Sequence, residues 1–187
     1  FQTEKYFKHI EDEIRKEFTF HEDILEPCRD MIDSLDSAPI FLHVRRGDPN
    51  LVDPRGFKWS YTECSDQHPP QPLEYYEKAL ELFPEDVPVV VCSDSPEWVQ
   101  EQEIFKPDRF AISIPEDKYD DGSYEPFIDL CLMSLCSGGI IANSTMSWWG
   151  AWLQGGRGKV VAPKMWFGPA YPNNDTKDLY PEGWTLL

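Results

Sequence analysis

Ile40-Phe41-Leu42-His43-Val44-Arg45-Arg46-Gly47-Asp48 is an apolar run that turns abruptly polar. Its first part reads as a buried strand over 40–45 and its end as the loop that follows. Apolar runs at 87–92, 110–114, 139–142 and 159–162 repeat the pattern, with helical patterns between them at 73–82, 96–105, 125–136 and from near Ser147 to Gly155-Gly156. Continuous apolar strands alternating with helices imply a parallel sheet covered on both faces. The fold class is therefore α/β, a Rossmann-like sheet with helices on both faces over residues 36–187.

Residues 1–35 read as a helical lead-in. Tyr6, Phe7, Ile10, Ile14 and Phe18 fall on one stripe of a helix over 4–18. A second helix over 24–35 is expected to open with Asp23 as its cap and Pro27 in its first turn. The segment 49–72, rich in Pro, Asp and aromatics, has no period and reads as a long loop; such loops are usually functional or disordered. From Pro163 the chain is Pro-, Gly- and Trp-rich and is expected to wrap the surface.

At 187 residues the chain is long enough for one substantial core, and its net charge of −17 argues against nucleic acid or an anionic membrane as partner. The five cysteines form no CxxC pair and read as reduced thiols of a cytoplasmic protein. No apolar run reaches the roughly 18 residues of a membrane span.

Open α/β sheets bind ligands beyond the carboxyl ends of their strands, and three such ends carry chemistry here. At the first, strand alternation puts His43 and Arg45 on one side and Val44 and Arg46 on the other. Two adjacent guanidiniums suit a phosphate or pyrophosphate; the competing reading is an Arg–Asp ion pair shaping a turn at Gly47. At the second, Cys92-Ser93-Asp94-Ser95-Pro96, Asp94 either accepts hydrogen bonds from a base or ribose, or caps the helix at Pro96. At the third, Asn143, Ser144, Thr145 and Ser147 bring donors to a helix N-terminus, a natural anion site. There Ser144 or Ser147 is alternatively a cap, and Trp148 and Trp152 belong to the core. Together the three ends suit a nucleoside diphosphate. Neither GxGxxG nor GxxxxGK[ST] occurs, and no DxD pair stands at a strand end, which disfavours a required divalent metal.

These motifs are similar to a known family. HVRRGD (43–48), CSDSPEW (92–98), DLCLMSLC (129–136) and IIANSTMSWWGAWL (140–153), with FQTEKYF (1–7) and PLEYYEKALELF (72–83), resemble the α-1,2-fucosyltransferases of glycosyltransferase family 11. The resemblance implies one lobe of a GT-B-type architecture. It also implies inverting, metal- and cofactor-independent transfer of L-fucose from GDP-β-L-fucose to the 2-hydroxyl of a galactose-containing glycan. Carried over, Arg45 binds the diphosphate and stabilises departing GDP, with Arg46 assisting. His43 and Asp94 flank guanine or its ribose, while Ser144, Thr145 and Ser147, beside Asn143, contact phosphate or fucose. Asp129 supports the site from behind, and Asp48 is the nearest carboxylate to serve as base. The family's glycine-rich segment resembling GGLGNQ has no counterpart here, so the chain looks like the C-terminal, donor-binding portion. Pro49 follows Asp48 where relatives often carry an aromatic, which bears on the acceptor loop. Two other readings stand beside this one: a donor-binding module without turnover, and adhesion through the tripeptide Arg46-Gly47-Asp48.

Overall fold

A strand apolar on both faces is stable only between two layers, and β1 (Ile40–Val44) occupies that position with every residue buried. The structure, a computed structural model, describes residues 3–47, 60–114 and 126–187. Among the described residues six parallel strands form one sheet in the order β3-β2-β1-β4-β5-β6. The others are β2 (Val89–Ser93), β3 (Phe110–Ile112), β4 (Gly139–Ile140), β5 (Val160–Ala162) and β6 (Thr185–Leu186). This is the order of a Rossmann-like doubly wound sheet. Around it lie α1 (Glu11–Glu17), α2 (Glu22–Asp33), α3 (Leu73–Leu80), α4 (Pro96–Glu101), α5 (Pro126–Leu135) and α6 (Thr145–Leu153).

Alternation along the strands divides the core in two. Phe41, Val90, Cys92, Ile141 and Ala162 face a layer that includes Cys28 of α2, Leu132 and Met133 of α5, and Trp148 and Trp152 of α6. Ile40, Leu42, Val44, Val91 and Val161 face Tyr75, Tyr76 and Ala79 of α3 and Val99 of α4. Burying a side chain such as Phe41 contributes about 2–3 kcal/mol. The expected core tryptophans are buried, Trp148 completely, and its Nε1 donates to Leu179 O at 2.8 Å. α6 comes very close to α5: a Cβ on Gly150 would lie 2.6 Å from Met133 Cβ.

The structure corrects several boundaries. The expected helix over 4–18 is two short 3-10 turns (Glu4–Tyr6, Lys8–Ile10) followed by α1. Only Phe7 of its stripe is buried, stacked on Trp149 at 5.2 Å, while Tyr6, Ile10 and Phe18 remain exposed. The second helix starts earlier than expected. His21 is its N-cap residue, Asp23 lies within its first turn and pairs with His21, and Pro27 sits inside. The lead-in is joined to the rest through Arg15, whose Nη1 and Nη2 donate to Leu153 O (3.2 Å) and Trp152 O (3.0 Å). These carbonyls lie at the end of α6, where a cation is favoured, and Trp152 O also accepts the Gly155 N–H at 3.1 Å. The tail supplies an element not foreseen, β6, which pairs in parallel with β5 through Val161–Thr185 and Ala162–Leu186.

Candidate functional site

The path β1, α3, β2, α4, β3 builds outward from β1 on one side; α5 then returns the chain to the other side as β4. The loops after β1 and β4 therefore part, and the crevice between them is where ligands of such sheets bind. Two of the three expected strand ends, those after β1 and β4, flank it, and the third, after β2, is adjacent.

Register decides what happens beyond β1. Val44 lies opposite Ser93 of β2, so the next residues, Arg45 and Asp94, emerge side by side. Arg45 Nη1 meets Asp94 Oδ2 at 2.9 Å. The same carboxylate accepts the backbone N–H of Arg46 (3.0 Å) and of Gly47 (2.6 Å). Gly47 has φ of 72°, a left-handed turn that costs a side-chain-bearing residue. Asp94 thus folds the arginine turn instead of capping α4; the N-cap residue there is Ser95, whose hydroxyl reaches back to Gly47 O at 3.4 Å. The two guanidiniums part as strand alternation expects. Arg46 lies over the Trp98 ring at 3.9 Å on the α3–α4 side, and Arg45 turns to Tyr61, 5.1 Å from its ring centre.

Tyr61 ties the two sides of the crevice together. Its N–H donates to Arg46 O (2.8 Å) and its hydroxyl to Asn143 O (3.4 Å). Asn143, buried after β4, donates from Nδ2 to Pro69 O (3.0 Å) and Trp166 O (3.1 Å), leaving Oδ1 with no partner among the described residues. Ser144 is the N-cap residue of α6 but makes no side-chain cap, and Thr145 is exposed beside it. Ser147 is turned inward, its hydroxyl donating to Ser144 O at 3.2 Å. The first turn of α6 keeps the partial positive charge of a helix start.

Beneath the arginines, His43 is fully buried and both ring nitrogens lack a partner among the described residues. Burial, reinforced by the Arg45 charge, pushes its pKa down to about 3 and keeps it neutral. Asp129, on α5, is also buried; Ser113 Oγ donates to its Oδ1 at 2.7 Å. Burial, helped by the negative charge of Asp94, raises its pKa to about 7 against that hydrogen bond. Asp48 lies outside the described residues.

The structure therefore gathers Arg45, Arg46, Asp94 and Asn143 around one crevice, sets His43 and Asp129 below it, and turns Ser147 into the fold. Tyr61 and Trp98 were not found from sequence. Trp98 had a usable signal, its place at the start of the helix that follows Asp94; Tyr61 sits in an aperiodic stretch and had none. Gly47 is buried and Arg46 is packed on Trp98, so these two do not present an exposed adhesion tripeptide.

The sequence model for glycosyl transferase family 11 matches residues 1–187. An O-antigen biosynthesis glycosyltransferase, WbnK, of Escherichia coli is 33% identical over 180 residues, covering 91% of this chain and 53% of the relative. An alpha-1,2-colitosyltransferase of Escherichia coli is 30% identical over 190 residues, covering 100% and 60%. Galactoside alpha-(1,2)-fucosyltransferase 1 of Homo sapiens is 27% identical over 162 residues, covering 81% and 40%. The chain thus spans about half the length of these curated relatives. No solved structure matches significantly. A family match over the whole chain, joined to motifs that converge on one sheet edge, places the chain in glycosyltransferase family 11.

Proposed function

We propose that this chain is the donor-binding lobe of a GT-B-type glycosyltransferase. The reaction is inverting, metal-independent transfer of L-fucose from GDP-β-L-fucose to the 2-hydroxyl of a galactose-type acceptor. The observation that carries this reading is the Arg45–Arg46 turn at the sheet switch point, held by three contacts to Asp94. A fixed guanidinium needs no reorganisation when charge develops on the leaving group, which makes it effective in the transition state.

In the reaction the acceptor oxygen attacks the anomeric carbon from the face opposite GDP. As the bond from that carbon to the β-phosphate oxygen breaks, its electron pair remains on GDP. Arg45 meets the charge gathering on the diphosphate, Arg46 adds to the field, and the amides opening α6 face the same anion. The positive charge of the turn takes the place of a divalent ion. A base removes the acceptor hydroxyl proton, the role assigned to Asp48. Asp94 acts by shaping the turn, and the neutral His43 ring and the buried Asp129 carboxyl underlie the nucleoside end.

Calorimetry with GDP and GDP-fucose in the presence of EDTA tests the binding claim. Micromolar binding supports it; a folded sample that takes up neither nucleotide refutes it. Mass spectrometry of lactose incubated with GDP-fucose separates turnover from binding alone. The colitosyltransferase relative favours one second reading, a donor sugar lacking a hydroxyl of fucose. A site that hydrogen-bonds that hydroxyl discriminates strongly against the deoxy sugar, so competing the two donors decides between them.

A further inference from the structure

Next to the donor crevice, where the chain leaves β5, lies a second feature to which the donor role assigns nothing. Residues 164–176 fold into an open cleft of about 560 Å³ lined by Met165, Phe167, Tyr171, Pro172 and Asn174, among others. Met165 and Tyr171 are 58% and 40% exposed, which leaves apolar and aromatic surface facing water. The cleft is built and held: Gly168 N–H donates to Gln67 O (2.8 Å) and Ala170 N–H to Asp66 O (2.7 Å). A Cβ on Gly168 would stand 2.5 Å from Asp66 O, so this close approach needs glycine.

A row of rings links the wall of the cleft to the arginine turn. Phe167 and Tyr171 meet edge to face at 5.9 Å, and His68 lies 5.7 Å from Phe167 and 5.9 Å from Tyr171. Tyr61 follows at 5.6 Å from His68, and the Arg45 guanidinium at 5.1 Å from Tyr61. Mostly apolar and aromatic walls with a few polar groups are what a small polar ligand needs for a fixed orientation. A galactose ring suits them: its C3–H, C4–H and C5–H bonds lie on one face and pack on an aromatic ring, while its hydroxyls point to the rim. Asn174 and Lys164 offer polar groups there, and one relative bears a galactoside name.

We infer that the cleft of Phe167 and Tyr171 holds a galactose-type ring of the acceptor glycan, with Tyr61 and His68 continuing toward the donor. This rests on the transfer reading above and adds where the acceptor lies. The test is NMR titration of the GDP-saturated chain with methyl β-D-galactopyranoside. The expected result is saturation transfer to the ring protons on C3, C4 and C5, with shifts at the Gly168 and Ala170 amides. Tyr171→Ala should weaken the galactoside about tenfold and leave GDP affinity unchanged, while Tyr171→Phe retains most binding. Tyr171 is exposed, so its truncation leaves the fold intact, which a thermal melt verifies. A silent cleft, shifts confined to another surface, or equal affinity in Tyr171→Ala overturns the inference. Absence of GDP binding defeats the transfer reading and this inference with it; GDP binding with a silent cleft defeats this inference alone.

Discussion

Asp94→Asn separates two roles for one carboxylate: shaping the arginine turn, or touching the nucleoside. Its two oxygens take the Arg46 and Gly47 amides and the Arg45 guanidinium at 2.6–3.0 Å. Hydrogen bonds to a charged group are worth about 1.5–3 kcal/mol each. An asparagine oxygen keeps one amide, its NH2 faces donors, and the attraction to Arg45 is lost. The Arg45 and Asp94 side chains retain 30% and 19% of their exposure, so water recovers part of the deficit, leaving a loss of about 2–4 kcal/mol at the turn. Global stability falls by no more than the free energy of opening the turn locally. A melting temperature lowered by about 3–10 °C is expected. Affinity for the diphosphate suffers more, because only the ordered fraction binds, and GDP should bind about 10–100-fold more weakly. Inorganic pyrophosphate is the deciding ligand. If Asp94 shapes the turn, pyrophosphate and GDP weaken in parallel, measured by calorimetry on the same preparations. Weakened GDP with unchanged pyrophosphate places Asp94 at the base or ribose and refutes the positioning role. Unchanged affinity for both removes Asp94 from the site.

Asp129 and His43 give opposite pH slopes. The folded Asp129 carboxyl is raised from 3.8 to about 7, so its contribution is fully present below pH 4 and is lost as pH rises through 7. Folded His43 is lowered from 6.5 to about 3, so its contribution is present above pH 6.5 and is lost as pH falls toward 3. Each slope approaches about 1.4 kcal/mol per pH unit. Between pH 4 and 6.5 they offset, and urea titrations of Asp129→Asn should show stability rising with pH more steeply than in the parent; an unchanged slope contradicts the buried neutral carboxyl. Gly150→Ala gains helix propensity but drives a methyl onto Met133, and should cost about 1–2 kcal/mol. Met133→Ala in the same background should recover part of it in a double-mutant cycle, and strict additivity would refute the contact. Of the five cysteines only Cys64 is not buried. A thiol reagent on the native protein should modify it first, with the other four reacting only on unfolding; rapid labelling of Cys28, Cys92, Cys131 or Cys136 contradicts this.

The sheet was largely legible because β1, β2 and β5 are apolar runs with sharp polar ends, and burial on both faces leaves little else they can be. β6 was not, since two residues, Thr185 and Leu186, form a strand only by pairing with β5. The stripe over 4–18 misled for a related reason. Phe7 finds the Trp148–Trp149–Trp152 cluster, and the chain breaks into 3-10 turns to deliver it, which no local period encodes. At the site, strand phase separated Arg45 from Arg46 correctly. The partner of Arg45 was hidden, because Asp94 becomes its neighbour only through the pairing of Val44 with Ser93. Tyr61 was hidden more deeply, placed by tertiary hydrogen bonds within a stretch that has no pattern. Among the described residues no helix is long and apolar enough to cross a membrane.

The central claim is that Arg45, fixed at the end of β1, holds a diphosphate without a metal. Calorimetric titration of GDP in EDTA into the parent chain and into Arg45→Ala tests it most directly. The account predicts saturable binding by the parent and a loss of at least about tenfold in the variant, the worth of one charge-assisted contact, with the melting temperature nearly retained. Equal affinity of parent and variant, or parent binding only when a divalent ion is restored, would contradict it.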